Sequence, residues 1–142
     1  MYADRFALDY IQLHGSESPG YCRSLRSSGL HLIKAFSISQ SKDLATVSDY
    51  KGLCDYYLFD AKTSLYGGSG NQFDWNLLHR YNGPTPFLLS GGINPYSVKA
   101  LREFRHPYFA GIDINSRFET APGIKDVERI SNFLKELKGG MI

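Results

Sequence analysis

Cysteine is nearly absent: Cys22 and Cys54 are too few for a disulfide framework or a cysteine-based metal cluster, and both read as free thiols. No apolar run approaches the ~20 residues of a membrane span. The opening Met1-Tyr2-Ala3-Asp4-Arg5 lacks the apolar core of a signal peptide. Charge is almost balanced at +2, with Lys and Arg scattered, so there is no electrostatic footprint for nucleic acid. Nucleotide motifs are missing as well. Gly68-Ser69-Gly70-Asn71-Gln72-Phe73 has Phe where the dinucleotide fingerprint needs its third Gly, and it lacks the Gly-Lys-Ser/Thr ending of a P-loop. These absences leave a cytoplasmic chain with no membrane or nucleic-acid partner and no metal site. At 142 residues, 42% of them hydrophobic, one domain over 1–142 is expected.

What is present centres on Cys54-Asp55-Tyr56-Tyr57-Leu58-Phe59-Asp60, an aromatic run of strand length that ends in a carboxylate. A loop containing Gly67-Gly68-Ser69-Gly70 follows, and Asp74 then has the position of an N-cap for Trp75-Asn76-Leu77-Leu78. A carboxylate where a strand ends and a glycine loop begins is where α/β folds keep their chemistry, which singles out Asp60.

Strand-like and helix-like segments alternate along the rest. Strands are expected at Leu8–Leu13, Leu30–Ser37, the central run, Pro86–Gly92 and Tyr108–Ile114. Helices are expected from Ser18-Pro19 to Ser28-Gly29, Lys42 to Tyr50, Asn94-Pro95 to Phe104, and Val127 to Leu137 behind Asp126. This alternation predicts a parallel sheet with helices outside it. Alternate positions put Gln12 and His14, Lys34 and Phe36, Leu58 and Asp60, and Gly111, Asp113 and Asn115 on strand faces that would share one polar interior. Barrels build sites from several strand ends in this way. After the fourth strand come Gly91-Gly92 and a helix start, and after the fifth Asn115-Ser116-Arg117. Adjacent glycines, a helix N-terminus and an Arg suit a phosphate group.

The chain resembles the phosphoribosylanthranilate isomerase family of (β/α)8 barrels. The matching residues are Gln12-Leu13-His14-Gly15, Lys34-Ala35-Phe36, Leu58-Phe59-Asp60, Gly67-Gly68-Ser69-Gly70 with Phe73-Asp74-Trp75, Leu89 to Pro95, Gly111 to Ser116, and Pro122 to Asp126. The resemblance implies an Amadori rearrangement of a phosphorylated substrate in tryptophan biosynthesis, with no cofactor. It makes Asp60 the general acid that protonates the ribose ring oxygen. It puts Gly91, Gly92, Asn115, Ser116 and Arg117 around the phosphate, and Gln12, His14 and Lys34 on the ring side. The family's general base is a Cys in a Lys-Ile-Cys-Gly-like motif on the first barrel strand. That motif is absent here, as is the second-strand Arg that holds the anthranilate carboxylate. At roughly 25–30 residues per β/α unit, 142 residues make about five units, expected to be strands four to eight. Such a partial barrel is expected to be inactive or nearly so. The alternative is a non-catalytic half-barrel that binds a phosphorylated ligand or self-associates through open edges. The related indole-glycerol-phosphate synthase is a weaker match, since its Lys and Glu pattern is not visible.

Overall fold

The computed structural model describes residues 2–61 and 75–139. The glycine loop at 67–70 and the expected cap Asp74 lie outside them. A short helix, α1 (Tyr2–Arg5), precedes the first strand. Five strands follow: β1 (Tyr10–Leu13), β2 (His31–Ile38), β3 (Tyr56–Ala61), β4 (Phe87–Ser90) and β5 (Phe109–Ile112). They form one sheet in the order β1-β2-β3-β4-β5, and every pairing is parallel.

That order decides where the helices go. Right-handed crossovers between sequential neighbours all return on the same side of the sheet. One face is therefore covered and the other is not. Paired residues point the same way, so the register separates the faces. Leu13, Lys34, Tyr57 and Phe87 form one row, all buried. Ser37, Asp60 and Ser90 form a row on the other face, exposed or half-buried. An aromatic core fills the covered side: the Phe59 ring lies 4.9 Å from Phe87 and 5.2 Å from Tyr81, and Phe104 lies 5.2 Å from Phe109.

The register corrects the expectation of one shared polar interior. Lys34 and Phe36 lie on the covered face, whereas Gln12 pairs with Ile33 and shares the open face with Asp60. Alternation defines two faces within each strand, but the stagger between strands decides which faces align.

The covering helices start as their sequences dictate. α2 (Pro19–Ser27) has Pro at its first turn and Ser18 as N-cap, its hydroxyl accepting the Tyr21 N–H at 3.1 Å. The segment Ser41–Tyr50 is a 3-10 helix, with Asp43 accepting the N–H groups of Ser39 and Gln40. Trp75–Arg80 is also a 3-10 helix, and a single 3-10 turn, Pro95–Ser97, leads into α3 (Val98–Glu103). α4 (Val127–Lys138) is capped by Asp126, whose carboxylate accepts the Arg129 N–H at 2.9 Å. An antiparallel hairpin that the sequence pattern did not reveal, β6 (Glu119–Ala121) with β7 (Ile124–Lys125), turns at Gly123 with φ of 81°. No helix among the described residues is long and apolar enough to cross a membrane.

Candidate active site

Asp60 is the penultimate residue of β3, half-buried on the open face and level with Ser37 on β2 and Ser90 on β4. Parallel strands bring their carboxyl ends to one rim, where β3 ends and the segments after β4 and β5 begin. Ser90 donates from Oγ to Asp113 Oδ2 at 3.2 Å, linking the ends of β4 and β5. The row Asp60, Ser90, Asp113 thus crosses three neighbouring strands and carries two carboxylates. Sequence reasoning placed Asp113 on the correct face but gave it no role.

Gly91 follows Ser90 with φ of 84°, and Gly92 with 68°, both in the left-handed region. A Cβ on Gly91 would lie 2.3 Å from Asp60 Oδ1 and 2.8 Å from the Ala61 carbonyl oxygen. Gly91 therefore has a second task besides presenting backbone N–H groups: it makes room for the Asp60 carboxylate. The helix start beyond it contributes less than its sequence suggested. The N–H of Tyr96 is already taken by Asn94 Oδ1 at 2.8 Å, and that of Asn94 by Ser97 Oγ at 3.1 Å. An anion here would meet the glycine backbone rather than a free helix terminus.

Asn115, Ser116 and Arg117 follow β5, with Ser116–Phe118 forming a 3-10 turn, and all three are exposed. Asn115 is tied back to the hairpin, its Oδ1 accepting from Lys125 Nζ. Lys125 also pairs with Glu119 at 2.5 Å, and this hydrogen bond holds the Glu119 carboxyl below the usual range. Ser116 and Arg117 lie exposed beside Asn115.

The three expected ring-side residues separate. Gln12 is exposed on the Asp60 face, and His14 is exposed just beyond β1. Lys34 is 2% exposed on the opposite face. Its ammonium donates to the carbonyls of Gly15 at 2.8 Å and Ala35 at 3.1 Å and pairs with Glu17 at 3.2 Å. Glu17 was missed, although a buried ammonium requires an anionic partner and so signals one. His14, Gly15 and Lys34 nonetheless border one cavity of about 570 Å³ at the ends of β1 and β2.

Cys22 and Cys54 are free and buried. Burial, reinforced by the neighbouring Cys22, pushes the Cys54 thiol up to about 12. A thiol so disfavoured as thiolate is no proton acceptor near neutral pH. No group of three or more His, Cys, Asp or Glu side chains among the described residues is arranged to hold a metal ion.

Residues 2–136 match the family model for N-(5'-phosphoribosyl)anthranilate (PRA) isomerase. An N-(5'-phosphoribosyl)anthranilate isomerase of Parabacteroides distasonis is 52% identical over 135 residues, covering 95% of this chain and 61% of that protein. One from Phocaeicola vulgatus is 53% identical over 136 residues, covering 96% and 66%. The chain thus spans less than two thirds of the length of either relative. The crystal structure of phosphoribosyl anthranilate isomerase from Thermotoga maritima, a TIM-barrel protein, superposes with a TM-score of 0.77 at 35% identity, covering 96% of this chain and 65% of that one. A solved isomerase in complex with reduced 1-(o-carboxyphenylamino)-1-deoxyribulose 5-phosphate superposes at 0.74 with 30% identity, covering 96% and 63%. With its parallel sheet, its rim of strand ends and these relatives, the chain belongs to the N-(5'-phosphoribosyl)anthranilate isomerase family.

Proposed function

We propose that this chain carries the acid and phosphate side of a phosphoribosylanthranilate isomerase site, built on strands four to eight of a (β/α)8 barrel. The observation that supports it best is Asp60 at the end of β3, seated against Gly91 in the turn that closes β4. The sequential, all-parallel order with one uncovered face favours a barrel wall over a doubly wound sheet. In this reading Asp60 protonates the ring oxygen of the phosphoribosyl group as the ring opens to an iminium. Loss of the C2 proton to a base then gives an enolamine, which tautomerises to the ketose. Gly91, Gly92, Ser116 and Arg117 hold the phosphate, with Asn115 fixed beside them by Lys125. Gln12 and His14 border the ring side.

The base is the missing partner. Neither buried cysteine replaces it, and loss of a general base alone costs a factor of about 10²–10⁴. Turnover by the chain alone is therefore expected to be negligible in its cytoplasmic setting. The test measures loss of phosphoribosylanthranilate fluorescence with the chain alone, and then with the part of the Parabacteroides distasonis relative that precedes the matched residues. Activity restored by that segment and lost again in Asp60→Asn would support the reading. Restored activity that survives Asp60→Asn would remove Asp60 from its role. The open sheet edges favour one second reading, a non-catalytic module that binds a phosphorylated ligand or pairs with a further copy. Phosphate binding that depends on Gly91 and Arg117, with no turnover even after the segment is added, would select it.

A further inference from the structure

We propose that Lys34 is a positioning residue: through Gly15 and Glu17 it holds the loop that carries His14, and so shapes the cavity at the ends of β1 and β2. Its consequence for an isomerase site rests on the reading above, but the loop can be followed without any turnover.

An ammonium has three protons, and each has an acceptor here. They are the Gly15 carbonyl at 2.8 Å, the Ala35 carbonyl at 3.1 Å and Glu17 Oε2 at 3.2 Å. Nothing is left to donate to a ligand, so Lys34 does not contact substrate. Two of the three acceptors belong to the loop between β1 and α2. Glu17 closes the arrangement by accepting the Gly15 N–H at 2.9 Å, and Tyr50 adds a hydrogen bond from its hydroxyl to the Glu17 carbonyl at 2.7 Å. A buried cation left unpaired is strongly disfavoured. Lys34 can therefore stay buried only while the loop keeps this shape. His14, next to Gly15, is held at the mouth of the 570 Å³ cavity.

The surrounding groups make the arrangement sensitive to acid through Glu17. Facing the pair are Cys22 of α2, Tyr50 of the 3-10 segment and Cys54 ahead of β3, and burial raises all three. His14, Lys42 and Asp43 stand around the cavity itself. Burial pushes the Glu17 carboxyl up, but hydrogen bonds from backbone N–H groups and Lys34 outweigh it and hold it below the usual glutamate range. The clamp persists above the ordinary glutamate pKa and is lost as pH falls through the lower folded value.

The experiment is amide hydrogen exchange across the whole chain, with the His14 ring signals followed by NMR, for wild type, Lys34→Met and Glu17→Gln. In Lys34→Met, exchange at residues 14–18 should rise at least tenfold while β3 and β4 amides keep their protection, and the His14 ring signals should move. Lys34→Met leaves only the partly exposed Glu17 carboxylate behind and is the safer fold, whereas Glu17→Gln retains the buried cation without its anionic partner. Glu17→Gln should loosen the same loop at neutral pH and abolish the acid-dependent loosening seen in wild type. Loosening spread evenly over the sheet would reduce Lys34 to a general core residue and overturn the proposal. So would a Glu17→Gln loop with wild-type exchange and an unchanged pH profile.

Discussion

Gly91 and Gly92 are neighbours with the same backbone handedness but different surroundings. A Cβ on Gly92 would meet nothing within 4 Å, whereas one on Gly91 would strike the Asp60 carboxylate and the Ala61 backbone. Gly92→Ala should therefore cost only the left-handed penalty of about 1–2 kcal/mol. Gly91→Ala should cost more and shift the Asp60 carboxyl resonance, which urea melts and carbon-detected NMR would check. Asp43 ties down the start of the 3-10 segment Ser41–Tyr50. Hydrogen bonds from backbone, chiefly the Ser39 N–H, hold its carboxyl below the usual range despite some burial. Its stabilisation is full above the ordinary Asp pKa of about 4 and disappears as pH falls through the lower folded value. Asp43→Asn should thus be less stable than wild type at neutral pH, with the gap closing in acid melts. The places of Asp60 and Gly91 at the ends of β3 and β4 were legible because a strand-end carboxylate and paired glycines are local signals. The place of Lys34 was not, because it depends on the stagger of two strands that are distant in sequence, and its partner Glu17 sits in a loop.

At the level of elements, caps and turns were the readable part. Ser18-Pro19 and Asp126 begin helices where expected. Asp126→Ala should cost about 1 kcal/mol, with the loss confined to α4 when exchange is measured residue by residue. The structure departs from expectation where helical signals were short. Ser41–Tyr50 and Trp75–Arg80 settle as 3-10 helices, and since α2 with 9 residues and α3 with 6 are α-helical, length alone does not decide between the two forms. The β6–β7 hairpin escaped notice because its strands are too short for alternation to register, and Phe118 against Phe133 at 4.9 Å helps to dock it on α4. The core beneath the sheet was more predictable in composition than in depth. Phe59 is fully buried among Phe36, Tyr81 and Phe87. Phe59→Ala should cost about 3–5 kcal/mol, readable as a lowered urea midpoint.

For the molecule as a whole, the sheet ends matter most. Among the described residues β1 and β5 are edge strands of a parallel sheet, an arrangement normally buried on both faces and closed in barrels. Apolar side chains cluster in sequence before and at the start of β1: Tyr2 is 73% exposed, Phe6 60%, Leu8 50% and Tyr10 44%. Beyond β5 the cavity walled by Phe109, Ile112, Leu101 and Leu137 is rimmed by Lys99, Arg102 and Arg105. An edge with exposed apolar side chains and unused backbone groups is a template for another strand. The chain alone should therefore associate as its concentration rises, with a sedimentation coefficient that climbs accordingly. Lysine is the residue that natural edges use against such pairing, so Leu8→Lys with Tyr10→Lys should return the monomer, with a small drop in the urea midpoint because Tyr10 gives up its ring contacts with His31 and Tyr56. The preceding segment of a relative should suppress the same association by occupying the edges itself. Association that ignores the lysines would place the contact away from β1, and the β5 groove would be the next surface to substitute.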